Sequence, residues 1–67
     1  MQADINKIVN LMCEKKVNQK GLAMGSGVTL TTVSRLMRGK SAPTIETIHK
    51  IADFLGAEPG EIVKQEG

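Results

Sequence analysis

Apolar residues recur along this chain in short helical periods, separated by glycines, prolines and side chains suited to capping helices. Ile5, Ile8, Val9 and Met12 fall at i, i+3, i+4 and i+7, the spacing of a helix with one apolar face. Asp4 stands before them as an N-cap, and Lys15 and Lys16 close the segment, where cations suit the negative end of the helix dipole. This pattern predicts a helix over 4–16. A second is predicted over 19–26, with Asn18 as cap, Leu22 and Ala23 as its apolar side, and Gly27 as the left-handed stop. A third runs over 30–38 between the cap Thr29 and the terminator Gly39. Pro43 disfavours helix at Ala42, so a loop follows. Thr44 then caps a fourth helix over 44–55 whose stripe is Ile45, Ile48, Ile51, Ala52 and Leu55, with Gly56 after it. A short last helix over 59–64 holds Ile62 and Val63, with Pro59 in its first turn.

Five short helices without a long linker predict an all-α, five-helix domain spanning residues 1–67. A chain near this size buries only about 60% of its unfolded surface, so one core is the ceiling. Composition agrees: one Phe and no Tyr or Trp weaken any all-β reading and remove the aromatic platforms on which single-strand binders stack bases.

The side-chain inventory excludes more than it offers. One Cys and one His provide neither an internal disulfide nor a cysteine zinc cage, so a reducing, cytoplasmic compartment is expected, with no metal and no cofactor. Cys13 is expected to be a small buried hydrophobe and His49 an exposed helix residue. Thr32 and Ser34 have no partnered base for nucleophilic catalysis. The glycines from Gly21 to Gly27 follow no strand and precede no Gly-Lys-Ser/Thr, unlike a phosphate-binding loop. No apolar run nears the roughly 18 residues of a membrane span, and the N-terminus lacks a signal-peptide pattern. An enzyme, a small-molecule substrate and a membrane partner are therefore not expected.

Charge is distributed unevenly. Residues 15–40 hold Lys15, Lys16, Lys20, Arg35, Arg38 and Lys40 and no acid, while residues 41–67 sum to −3. A polyanion docking on the middle of the chain accounts for that segregation. The same stretch contains a short helix, a turn at Gly27-Val28-Thr29 and a second short helix, a helix-turn-helix arrangement. On a helical wheel the second of these places Val33, Leu36 and Met37 on one side and Thr31, Ser34, Arg35 and Arg38 on the other. Hydroxyls and guanidinium groups without acids suit the DNA major groove, where Arg pairs bidentately with guanine and Thr or Leu touches a thymine methyl.

The ordered set Gln19, Ala23, Gly27, Val33, Leu36, Gly39-Lys40, Pro43 and Ile48-Ile51-Ala52-Leu55-Gly56 resembles the Xre/Cro family of phage-repressor and Cro-type helix-turn-helix proteins, over about residues 5–63. The resemblance implies a lambda-repressor-like domain that binds double-stranded operator DNA, usually as a homodimer, and so acts as a transcriptional regulator and repressor. It implies base contacts by Thr29, Leu30, Thr31, Thr32 and Arg35, and phosphate contacts by Gln19, Lys40 and Ser41. Lys20 and Arg38, from the basic stretch, join the phosphate set. Phe54, off the main stripe of the fourth helix, either tucks against the last helix or joins Ile62 and Val63 in a dimer interface. The dimer assignment is preferred because a lone exposed Phe suits a surface poorly.

The sequence departs from the family pattern in three respects. Gly21 and Gly25 lie inside the second helix, each costing about 1 kcal/mol relative to Ala, which predicts fraying or close packing there. Leu30 occupies a place where relatives often carry a polar base reader. Met12 and Met37 stand where many relatives pair an Arg with a Glu, and thioether packing is expected in place of that ion pair. A module of the same fold that binds a partner protein, as an antitoxin or co-regulator does, is the alternative function.

Overall fold

In the computed structural model, which describes residues 2–40 and 42–64, each capping residue expected from the sequence starts a helix. Asp4, Asn18, Thr29 and Thr44 precede α1 (Ile5–Lys15), α2 (Gln19–Ser26), α3 (Leu30–Met37) and α4 (Ile45–Leu55). Their side-chain oxygens accept the backbone N–H groups of Lys7, Gly21, Thr32 and Thr47, at 2.8–3.2 Å. Each bond satisfies a donor that has no partner inside its own helix.

The expected fifth helix over 59–64 is a correction. Pro59–Ile62 form a single 3₁₀ turn, after which Val63–Lys64 are extended. Pro59 and Gly60 are poor helix formers, and β-branched Val63 is better placed in a strand. Lys64 and Val63 (β2) pair antiparallel with Gln2 and Ala3 (β1), and the Asp4 N–H donates to the Ile62 carbonyl at 2.8 Å. The described residues therefore form four α-helices and a two-stranded ribbon, not five helices in an all-α domain. Nothing in the sequence foreshadows this ribbon, because strands of two residues leave no alternation to detect.

One core joins the elements. It comprises Ile8 and Met12 of α1, Leu22 and Ala23 of α2, Val33 and Leu36 of α3, the Ile48, Ile51, Ala52 and Leu55 stripe of α4, and Ile62. Met37 packs half-buried against the cluster that contains Met12, and neither methionine sits beside an ion pair among the described residues.

Three burial expectations are corrected. Val9 is exposed, and Leu11 on the opposite flank of α1 meets the core instead. Cys13 is exposed, because it lies about 140° around the helix from Ile8. Ile45 is 65% exposed at the first turn of α4, ahead of the part of the stripe that the core covers.

Candidate nucleic-acid interface

The turn between α2 and α3 is built from local bonds. Gly27, at φ 79°, ends α2 in the left-handed region and donates its N–H to the Ala23 carbonyl at 3.0 Å. The Ser26 hydroxyl donates to the Leu22 carbonyl at 2.6 Å and accepts the Val28 N–H at 3.4 Å, a stitch that the sequence reading missed. Ser and Thr side chains commonly bond to nearby backbone in this way, so the signal was present but not distinctive. Buried Val33 and Leu36 hold one face of α3 in the core, and half-buried Val28 in the turn packs against the same core.

The opposite face of α3 is open. Thr31, Thr32, Arg35 and Arg38 are exposed, Ser34 is intermediate, and Leu30 is 49% exposed at the helix start. Gln19 and Lys20 are exposed in the first turn of α2, and Lys40 is exposed after α3. Ser41 lies outside the described residues. Among the described residues the only ion pair is Lys50–Glu46, 3.1 Å apart on the surface of α4, so no carboxylate neutralises the cations of residues 15–40.

Thr29 has a structural task beside any contact with a base. Its Oγ1 accepts the Thr32 N–H at 3.2 Å, and its hydroxyl donates to Thr32 Oγ1 at 2.9 Å. The Thr32 hydroxyl keeps its own proton to donate outward. Thr29→Ala should therefore cost about 1 kcal/mol of folding stability, as loss of an N-cap does. Denaturant unfolding measures it; an unchanged midpoint would show that the cap is idle.

The three residues assigned to a dimer interface part company. Ile62 is 0% exposed and belongs wholly to the core, so that assignment is corrected: no side-chain surface is left for a partner. Phe54 is half-buried, and its ring lies where a Cβ on Gly25 would otherwise sit, with the Lys15 ammonium 5.7 Å from its centroid. Phe54 is thus seated on α2 rather than standing free. This contact also accounts for Gly25, a helix-weakening residue kept where two helices approach closely. Val63 is half-buried and borders a cleft of about 150 Å³ with Ile45, Ile48, His49, Pro59 and Gly60. The exposed Ile45 at this cleft was missed, because periodicity assigned it to the core.

A helix-turn-helix family model matches residues 8–62. The chain is 36% identical over 58 residues to the cryptic phage CTXphi transcriptional repressor RstR of Vibrio cholerae, covering 87% of this chain and 52% of that protein. It is 36% identical over 56 residues to an uncharacterized HTH-type transcriptional regulator of Rickettsia prowazekii, covering 78% of this chain and 61% of the relative. The chain thus spans between about half and three fifths of the length of these curated relatives. Among solved structures, it is similar to the restriction-modification controller protein C.AhdI of Aeromonas hydrophila, with TM-score 0.77 and 30% identity over 85% of this chain and 86% of that one. A helix-turn-helix family transcriptional regulator from Vibrio cholerae gives TM-score 0.76 and 31% identity over 87% of this chain and 33% of the other.

Proposed function

This chain belongs to the Xre/Cro-type helix-turn-helix family, and on that premise we propose that it is a sequence-specific, double-stranded DNA-binding transcriptional regulator that represses as a dimer. The observation that carries this reading is the open face of α3: Thr31, Thr32, Arg35 and Arg38 are exposed, and no carboxylate pairs with either arginine among the described residues. Inserted in the major groove, α3 brings Arg35 to a guanine edge, Thr31 and Thr32 to neighbouring acceptors or donors, and Leu30 to a thymine methyl. Leu30 is an apolar side chain half exposed at the entry of the helix, and contact with a methyl group removes that surface from water.

Gln19, Lys20, Arg38, Lys40 and Ser41 hold the phosphates on either side. Gln19 opens α2, where free backbone N–H groups attract anions. Two protomers, each 31 × 22 × 18 Å, fit on half-sites whose centres lie one duplex turn, about 34 Å, apart. Val63 and the exposed Ile45, which share one shallow cleft, are the apolar surface best placed for the homodimer, with the outer edge of Phe54 beside α2 as a lesser contributor.

Selecting bound sites from a random duplex pool at two salt concentrations tests the proposal. Enrichment of one motif with two half-sites is expected, whereas a selected pool indistinguishable from the input would overturn it. Lys40→Ala should weaken binding to every duplex alike. It should also lower the slope of log affinity against log salt by about 0.9, the contribution of one neutralised phosphate on B-DNA. A slope equal to that of the unaltered protein would remove Lys40 from the phosphate set.

A further inference from the structure

All four α-helices end with a residue in the left-handed region or just before one. Three of those residues are glycine: Gly27, Gly39 and Gly56, at φ 79°, 70° and 72°. The fourth is Lys16, at φ 58°, the only non-glycine residue with positive φ among the described residues. The ends of α1, α3 and α4 share one hydrogen-bond pattern. At α1 the Lys16 N–H donates to the Cys13 carbonyl at 3.1 Å and the Val17 N–H to the Met12 carbonyl at 3.0 Å. At α3 the corresponding bonds run from Gly39 to Leu36 and from Lys40 to Arg35, and at α4 from Gly56 to Asp53 and from Ala57 to Ala52. This motif favours glycine because a Cβ in the left-handed region crowds the following carbonyl. The same backbone task is therefore done twice by the residue that suits it and once by a residue that does not.

What distinguishes the α1 end is its position. Lys16 lies three residues before Gln19, the first residue of α2, and three residues of chain span at most about 11 Å. It is exposed and lies within the acid-free stretch 15–40. The neighbouring Lys15 is also exposed, but its ammonium lies 5.7 Å from the centre of the Phe54 ring, whereas Lys16 makes no ion pair among the described residues.

We propose that Lys16 is a further phosphate-binding residue, which extends the DNA contact from the start of α2 back to the end of α1. In this view a less favourable backbone is retained because a positive charge is needed at that corner. Strain kept at a functional position has this form: the folded chain is less stable than it could be, and the ligand is bound more tightly. The proposal rests on the DNA-binding reading above and adds a residue that neither the helix-turn-helix pattern nor the basic face of α3 includes.

Stability and binding should move in opposite directions on one substitution. Lys16→Gly removes both the strained Cβ and the charge, and should raise the melting temperature by about 3–6 °C for a domain of this size. The same variant should lower the salt slope of duplex binding by about 0.9, equivalent to an affinity roughly eightfold weaker at 0.1 M salt. Lys16→Arg keeps the charge and should restore the slope without raising the melting temperature. Thermal unfolding and duplex titrations at four salt concentrations, on the whole chain, read both quantities. A more stable Lys16→Gly variant with an unchanged slope overturns the phosphate contact while leaving the DNA-binding reading intact. A less stable one overturns the backbone argument. If the unaltered chain binds no duplex at any salt concentration, both readings fall together.

Discussion

Arg35→Ala should weaken binding to the selected duplex by about 1–3 kcal/mol, roughly 5- to 150-fold, and abolish preference at one base pair. The magnitude follows from where the side chain sits. Val33 and Leu36 lock α3 into the core on either side of position 35, so the backbone that presents the guanidinium is rigid. Arg35 itself is exposed and has no carboxylate partner among the described residues, so its donors remain available for a base edge. A bidentate pair to guanine O6 and N7 uses the planar fork of the guanidinium, which Lys cannot reproduce. Arg35→Lys should accordingly keep most of the salt slope and lose most of the discrimination. Titrations of the selected duplex and of duplexes altered at single positions, at one salt concentration, separate the effects. If Arg35→Ala lowers affinity by the same factor on every duplex, Arg35 touches phosphate and does not read a base. Folding should not be involved, since an exposed substitution away from caps and strain usually stays within about 0.5 kcal/mol.

The parts of this molecule visible in the sequence are those governed by local chemistry. Asp4, Asn18, Thr29 and Thr44 were legible as caps because a short oxygen-bearing side chain ahead of an apolar period has one favourable use there. Position within a period also sufficed to put Thr31 and Arg35 opposite Val33 and Leu36, since adjacent residues in a helix cannot all face the core.

What stayed hidden depends on how the elements meet. Val9 and Leu11 flank the buried Ile8–Met12 line of α1 equally, and only the packed neighbours decide that Leu11 is covered. Ile45 fits the α4 stripe by spacing, yet the 3₁₀ turn and β2 leave it uncovered at the edge of a cleft. Ile62 and Val63 are adjacent in sequence, but one is sealed in the core and the other pairs with Ala3, an outcome set by a ribbon between opposite ends of the chain. The same limit applied to the expected dimer surface. A lone Phe on the margin of a stripe looks unsatisfied until a glycine on another helix is found opposite it.

That glycine gives the largest expected effect on stability. Inside a helix, Gly→Ala normally stabilises by about 1 kcal/mol, through lower backbone entropy in the unfolded chain. At Gly25 the sign should reverse. An added Cβ would overlap three atoms of the Phe54 ring, so either the ring swings toward solvent or α2 and α4 move apart. Overpacking of this kind costs about 1–3 kcal/mol, and expelling the ring also forfeits part of its burial. With the propensity gain set against those terms, Gly25→Ala should lose about 1–2 kcal/mol net and lower the melting temperature by roughly 5–15 °C. Gly21→Ala, four residues earlier on the same helix, is the internal control. Its Cβ would meet the Val17 Cβ at 3.2 Å and Asn18 Oδ1 at 3.4 Å, contacts that a shift of a few tenths of an ångström relieves, so the change there should be close to neutral. A double-mutant cycle with Phe54→Ala isolates the cause: once the ring is gone, Gly25→Ala should become neutral or stabilising, with a coupling energy of about 1–3 kcal/mol. If Gly25→Ala alone raises the melting temperature, Phe54 is not wedged against α2. The glycine would then have no packing reason, and the α2–α4 contact that backs the helix-turn-helix would have to be made elsewhere.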